Sequence, residues 1–183
     1  MHKLSYQRGD RMEEHSYPPL YTLKPNASDP TKVLAGASGV DPLIFCRLVA
    51  CIRAPYFLLY VLHTPRGEGE PGRYQSTELN DDEFNSFMLR YSKFLSGDAR
   101  HDFWVHSPDM DATVVWDRHN LIHAYGPIDC YVSTLRGLGF SPGDLAVPIP
   151  HNHYYRSEFD ADAKSILSEF AWERTSLRPE NEQ

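Results

Sequence analysis

The sequence predicts an α+β fold in which a mainly antiparallel sheet packs against about four helices. Three observations predict it. Apolar residues recur at helical spacing in several separate segments, each bounded by capping or breaking residues. The segment between residues 101 and 126 alternates instead, as strands do. The elements follow in the order helix, strand, helix, three strands, helix, helix, without an internal repeat, which favours helices segregated on an antiparallel sheet.

Capping residues set the predicted helix boundaries. Asp41 before Pro42 predicts a helix start, because Asp caps free N–H groups and Pro suits the first turn. Asn80 and Glu83 form a capping pair ahead of an aromatic stripe at helical spacing, and Gly97 ends this helix. Two further helices are predicted from Pro127 to Gly139 and from about Asp160 to Trp172.

Composition predicts one domain with extended ends. Residues 1–32 are polar and contain four prolines, which predicts an extended N-terminal arm. Residues 33–173 carry the periodic apolar segments and predict a single α+β domain. Residues 174–183 are rich in charge and predict a frayed C-terminal tail. Glycines and prolines between residues 64 and 77 predict a long exposed loop.

Charge and hydropathy exclude two classes of partner. The net charge of −7 and the scattered Lys and Arg residues argue against nucleic-acid binding, which needs clustered positive charge, and favour a basic partner. The apolar run over residues 43–62 approaches membrane-spanning length, but Arg47, Arg53 and Pro55 interrupt it. We therefore expect no association with a membrane.

The three cysteines predict a reducing compartment. Cys46, Cys51 and Cys130 form an odd set without a Cys-x-x-Cys pair, and the chain starts with polar residues. Each lies in an apolar helical segment, where a thiol is usually inert packing. The expected location is the cytoplasm.

The strands over residues 101–126 predict a chemically mixed sheet face. A polar turn centred on Arg118 and His119 places Trp116 opposite Leu121, and the loop after Ser107 places Trp104 opposite Val114. Because side chains alternate along a strand, one face is then small and apolar and suits a core. The other face is predicted to hold Asp102, Trp104, His106, Val114, Trp116, Leu121, His123 and Tyr125.

Two interpretations of this second face remain open. Helices or the N-terminal arm cover it, and its rings are core. Alternatively it lines a cleft, because Trp, Tyr and His combine apolar bodies with polar atoms that suit recognition. In that case the residues that bind a ligand or partner are Trp104, His106, Trp116, His123 and Tyr125, with Tyr155 from the proline-rich loop.

His151 and His153 are the candidate metal ligands. Alternate residues of an extended segment project to one side and offer two imidazoles to an ion such as Zn²⁺. A third ligand would have to come from His106, His123, Asp102 or Asp117. The alternative is a loop whose histidines cap backbone groups or lie in water, with no cofactor at all.

Three functions follow, and the sequence favours a binding protein over an enzyme. The first is a small acidic protein that binds a protein partner or a small ligand, in the manner of an inhibitor or immunity-type protein facing a cationic partner. The second is a metal-dependent hydrolase built on His151 and His153. The third is a structural subunit of a homo-oligomer such as a homodimer.

Overall fold

A computed structural model describes residues 2–26, 29–39 and 41–179 and confirms the α+β class. Within those residues, four α-helices accompany one nine-stranded sheet and one three-stranded sheet. The helices are α1 (Leu43–Val49), α2 (Asp81–Gly97), α3 (Ile128–Gly137) and α4 (Asp160–Ile166). The strands are β1 (Leu4–Arg8), β2 (Arg11–Glu14), β3 (Leu20–Asn26), β4 (Asp29–Gly36), β5 (Phe57–Leu62), β6 (Gly72–Gln75), β7 (His101–Ser107), β8 (Ala112–Trp116), β9 (Leu121–Tyr125), β10 (Ser141–Pro142), β11 (His151–His153) and β12 (Glu173–Thr175).

The large sheet has the order β10-β3-β4-β9-β8-β7-β5-β6-β12, and the small one the order β11-β1-β2. Every pairing between these strands is antiparallel except that of β10 with β3. The two edges of the large sheet are strands of two and three residues, and such short edges limit pairing with other chains.

All four helices pack on one face of the large sheet. The capping pair of Asn80 and Glu83 is confirmed at the start of α2, where each side chain bonds the other residue's backbone N–H. One core cluster joins the buried stripes of the helices to alternate residues of the strands. Its members include Phe45, Phe87, Leu135 and Ile166 from the helices and Phe103, Val105, Val114, Trp116 and Ile122 from the strands.

The predicted register of the central strands is wrong by one residue. Trp116 lies opposite Ile122 and Trp104 opposite Val115. Two loops cause the shift. Between β8 and β9, Asn120 takes the left-handed conformation (φ 65°) and the loop has three residues. Between β7 and β8, Ser107 already pairs with Ala112, so that loop is one residue shorter than predicted. Trp116 therefore belongs to the core face, where it is fully buried, and it does not share the face of Trp104 as predicted.

The N-terminal residues form strands of both sheets. β1 and β2 belong to the small sheet, and β3 pairs with β4 in the large one. The predicted domain boundaries fall within elements, since β4 crosses residue 32 and β12 crosses residue 173.

The segment between residues 64 and 77 is less open than predicted. It contains β6, and the carboxylate of Glu68 is buried against Arg100 at 3.0 Å. Arg100 is fully buried and also pairs with Asp98 at 2.9 Å. This ion pair is part of the structure of the turn after α2. The loop is thus fixed to the end of α2.

Two of the three cysteines are bonded to each other. Cys51 and Cys130 form a disulfide that joins the end of α1 to α3, whereas Cys46 is free. In the described part of the chain, no helix combines the length and the apolar character needed to cross a bilayer.

Candidate functional site

Part of the sheet face opposite the helices is polar and aromatic, and we call this part the open face. Elsewhere on the same face, Leu34 and Leu121 are buried against Tyr17 and Leu145. The observed register brings four of the predicted residues to the open face: Trp104 and His106 on β7, and His123 and Tyr125 on β9. No α-helix of the described residues supplies a wall to its cavities. The face also carries Lys32, Arg73, Asp102, Thr113, Val115 and Asp117.

Two cavities lie side by side on the open face and share Trp104 and Thr113. The first, of about 350 Å³, is bounded by Arg73 and His106. The second, of about 390 Å³, is bounded by Lys32 and the residues near Asp117. The first is also lined by Phe57, Leu58, Leu59, Gln75 and Pro108, and the second by Asp102, Val115, His123 and Tyr125.

The first cavity contains a cation and an imidazole but no carboxylate among its described lining residues. The guanidinium of Arg73 lies 5.9 Å from the centre of the Trp104 ring. His106 Nδ1 lies 3.0 Å from the hydroxyl oxygen of Thr113, which occupies one ring nitrogen and leaves Nε2 for another partner. The cavity therefore offers donors above an aromatic wall.

In the second cavity, a chain of hydrogen bonds connects Lys32 to Asp117 through His123. Lys32 Nζ lies 3.1 Å from His123 Nδ1, and His123 Nε2 lies 3.1 Å from Asp117 Oδ2. Because an ammonium group can only donate and a carboxylate can only accept, these contacts fit the tautomer of His123 that has its proton on Nε2. Lys32 Nζ also donates to the Tyr125 hydroxyl at 3.3 Å.

Asp117 is the residue where the polar groups of this region meet. Its Oδ1 accepts the backbone N–H groups of His119 and Leu121, which fixes the turn. Burial opposes its ionisation, but the neighbouring imidazoles of His119 and His123 outweigh that cost and hold the pKa of Asp117 well below its usual range. Both carboxylate oxygens of Asp117 therefore already accept hydrogen bonds.

A second group of polar residues lies beyond Asp117, where the turn after β8 meets the small sheet. One ring nitrogen from each of His119, His151 and His153 can be chosen so that all three atoms lie within 4.8 Å of one another. His151 and His153 lie on β11, opposite Tyr6 and Leu4 of β1. Alternate positions on a strand put the two imidazoles on the same side, as predicted.

Polar atoms lie close to two of these rings, whereas a nitrogen of the third has no hydrogen-bond partner among the described residues. His151 Nδ1 lies 2.8 Å from the carbonyl oxygen of Pro148, and His119 Nδ1 lies 3.7 Å from Asp117 Oδ2. His153 Nε2 is buried without a hydrogen-bond partner among the described residues. Burial lowers the pKa of His153 to about 3, and the nearby charges of His119 and Arg118 act in the same direction.

The third histidine is not one of those the sequence suggested. Neither His106 and His123 nor Asp102 and Asp117 belongs to this group; the residue there is His119. The sequence did not indicate His119 as a ligand, because a polar residue at this position is already explained by the turn. Tyr155, predicted to bind with the Trp104 face, lies beside His153 instead, with the ring centres 6.2 Å apart.

Lys32 and Arg73 are site residues that sequence reasoning missed. They lie on β4 and β6, in segments read as an arm and a loop, and only the pairing of distant strands brings them to the open face. Compared with known proteins, the chain matches no family model, no curated protein and no solved structure.

Proposed function

We propose that the protein binds a small aromatic carboxylate in the cavity between Arg73 and His106. The observation that carries the proposal is an apolar cavity of about 350 Å³ that has a guanidinium at its side and no acidic lining residue among the described ones. Its volume lies within the range of small-molecule sites. The anion is favoured although the whole chain has a net charge of −7.

Each group of the cavity has a role in this binding. The indole of Trp104 gives a flat surface for an aromatic ring. Arg73 already interacts within the protein, but a guanidinium has five N–H donors in one plane, and those that remain can meet the oxygens of a carboxylate. His106 Nε2 can donate to the same anion when Nδ1 accepts from Thr113. The ligand is thus defined by a ring and one negative charge.

Isothermal titration calorimetry with indole-3-acetate as the probe tests the proposal. Because a hydrogen bond to a charged group contributes about 1.5–3 kcal/mol, Arg73→Gln should weaken binding about tenfold or more. Arg11→Gln is the matched control, since Arg11 is an exposed arginine on β2, outside the cavity. Trp104→Leu should weaken the same probe without unfolding the chain, because Trp104 is only half-buried.

A neutral probe separates charge recognition from simple apolar binding. Indole-3-acetamide has the ring without the charge, and we expect it to bind at least about tenfold more weakly than the carboxylate. Equal binding of the two probes, or no binding of either, would overturn the proposal. Capture of a basic protein that depends on Trp104, with no binding of either probe, would favour the acidic inhibitor or immunity-type function instead.

The compartment and the assembly state are separate proposals. A cytoplasmic location requires Cys51 and Cys130 to be reduced in the cell, whereas a disulfide persists in oxidising compartments. Alkylation of thiols at lysis distinguishes these states, because one or three cysteines will then carry the label. A homodimer or other homo-oligomer, the structural-subunit alternative, requires a mass above 21.0 kDa in light scattering.

A further inference from the structure

We propose that His119, His151 and His153 form a binding site for a divalent transition-metal ion such as Zn²⁺. The site lies where the turn between β8 and β9 meets β11, and it uses none of the residues that line the carboxylate cavity. It is therefore independent of the proposed ligand binding.

The distances fit a site that closes slightly around its ion. Zn–N bonds are about 2.0–2.1 Å long, so the nitrogens around a tetrahedral ion lie about 3.4 Å apart. Here the three ring nitrogens lie within 4.8 Å of one another, and the ring centres are 5.0–5.4 Å apart. Ring rotations that move these atoms by about 1 Å bring them to bonding distance of one ion.

The backbone holds the ligands in place from both sheets. β11 is paired with β1, which fixes the spacing of His151 and His153. The turn that carries His119 is fixed by the carboxylate of Asp117, which accepts two of its N–H groups. An ion at this site would join the small sheet to the large one.

Contacts behind the rings favour metal binding. Metal-ligating histidines usually donate the second ring N–H to a carbonyl or a carboxylate, which orients the ring. Pro148 O takes this place for His151 at 2.8 Å, and Asp117 Oδ2 lies 3.7 Å from His119 Nδ1. For His151 this leaves Nε2 available to an ion.

A second, independent observation for a bound ion comes from His153. Its Nε2 is a buried nitrogen that makes no hydrogen bond to any described residue. Buried polar atoms in proteins are nearly always satisfied, and an unsatisfied one calls for an explanation such as an ion. A metal ion next to this nitrogen would satisfy it.

A three-histidine centre leaves one position of a tetrahedral ion for water. Catalytic zinc sites have this arrangement, whereas structural sites use four protein ligands. The metal-dependent hydrolase requires such an ion and can be tested once the ion is shown to bind. Hydrolysis of 4-nitrophenyl acetate by the zinc-loaded protein, lost in His119→Ala, would support it.

The test is titration of tag-free, metal-stripped protein with ZnCl₂ in a calorimeter. We expect one ion per chain and a dissociation constant of about 10 μM or tighter. His119→Ala, His151→Ala and His153→Ala should each weaken binding by more than the roughly 10–100-fold that loss of an outer-shell partner costs. His106→Ala is the matched control, a half-buried histidine of the open face that should bind zinc as the parent does.

A second measurement covers variants that fail to fold. Co²⁺ in the unchanged protein should give the intense visible absorption of a tetrahedral nitrogen site, and excess Zn²⁺ should abolish it. No zinc binding, zinc binding that survives each of the three substitutions, or a weak octahedral Co²⁺ spectrum would overturn the proposal. Because indole-3-acetate binding does not involve these histidines, the presence or absence of that binding tests the proposed function and not the metal site.

Discussion

At the scale of single residues, ionisable groups that water does not reach determine how stability depends on pH. Lys3 is fully buried, its ammonium donates to the carbonyl of Asp117 at 3.0 Å, and it lies 5.0 Å from the centre of the Trp116 ring. Burial lowers the pKa of Lys3 to about 8, although the carboxylates of Asp117 and Asp102 act against it. The folded protein therefore holds this proton less tightly than the unfolded chain does.

This difference predicts an increase in stability with pH. Between pH 8 and 10.5 the unfolded chain still carries the Lys3 proton and the folded protein does not, so the free energy of unfolding rises with pH. Urea denaturation should show wild type gaining up to about 3 kcal/mol relative to Lys3→Met over this window. The variant also loses the hydrogen bond to Asp117, but only the titration of Lys3 is expected to make the difference between the two proteins change over this window. A constant difference would contradict the prediction.

His101 gives a second pH dependence in the acidic range. It is fully buried between the rings of Tyr60 and Phe94, and burial lowers its pKa well below 6.5. As the pH falls below 6.5, the unfolded chain takes up a proton that the folded protein refuses, and stability is lost.

The test is His101→Leu, which keeps an apolar side chain of similar size. Its stability should decline less steeply than that of wild type between pH 6.5 and 5, as measured by urea denaturation. At pH 8 the histidine is neutral in both states, so that pH reports the packing effect alone. An unchanged slope in the variant would show that His101 does not contribute.

At the scale of elements, turn chemistry decides which side chains reach the site. Asn120 closes the turn in the left-handed conformation, and its amide oxygen accepts the indole N–H of Trp116 at 2.7 Å. Its amide nitrogen donates to the carbonyl of Ala37 at 3.2 Å. The longer turn at Asn120 and the shorter loop between β7 and β8 together move Trp116 from the predicted face into the core.

Asn120→Gly and Asn120→Ala separate the two contributions of this residue. Glycine keeps the left-handed backbone but leaves the buried indole N–H unsatisfied, which should cost about 1–3 kcal/mol. Alanine adds the strain of a left-handed Cβ, about 1–2 kcal/mol more. Chemical denaturation of the two variants measures both terms, and equal stability of the two would contradict the account of the turn.

The elements also show what sequence reasoning can reach. The capping pair and aromatic stripe of α2 are local signals, and both are confirmed. Trp104, His106, His123 and Tyr125 share a face because β7 and β9 are separated by one strand only, so a register error in β8 leaves them together. Lys32 and His119 reach their sites through pairings between distant segments, for which the sequence carries no local signal.

At the scale of the whole molecule, covalent and polar connections join parts of the chain that are far apart in sequence. The disulfide between Cys51 and Cys130 links residues 79 positions apart and ties α1 to α3 beneath the large sheet. Arg100 connects α2, the loop with Glu68 and the start of α4 at Asp160. These connections lie on the helix side, whereas both proposed sites lie away from the helices.

This arrangement predicts that the disulfide supports the stability of the scaffold and leaves ligand binding unchanged. In the chain-entropy account, a cross-link over this span restricts the unfolded chain and contributes about 4 kcal/mol. Cys130→Ser should lose a large part of this stability in urea, whereas Cys46→Ser, which changes the free cysteine, should lose little.

Zinc and indole-3-acetate affinities of folded Cys130→Ser should match those of wild type, because none of the residues at either site contacts the disulfide. Equal stability of the two variants would show that the cross-link is absent in solution.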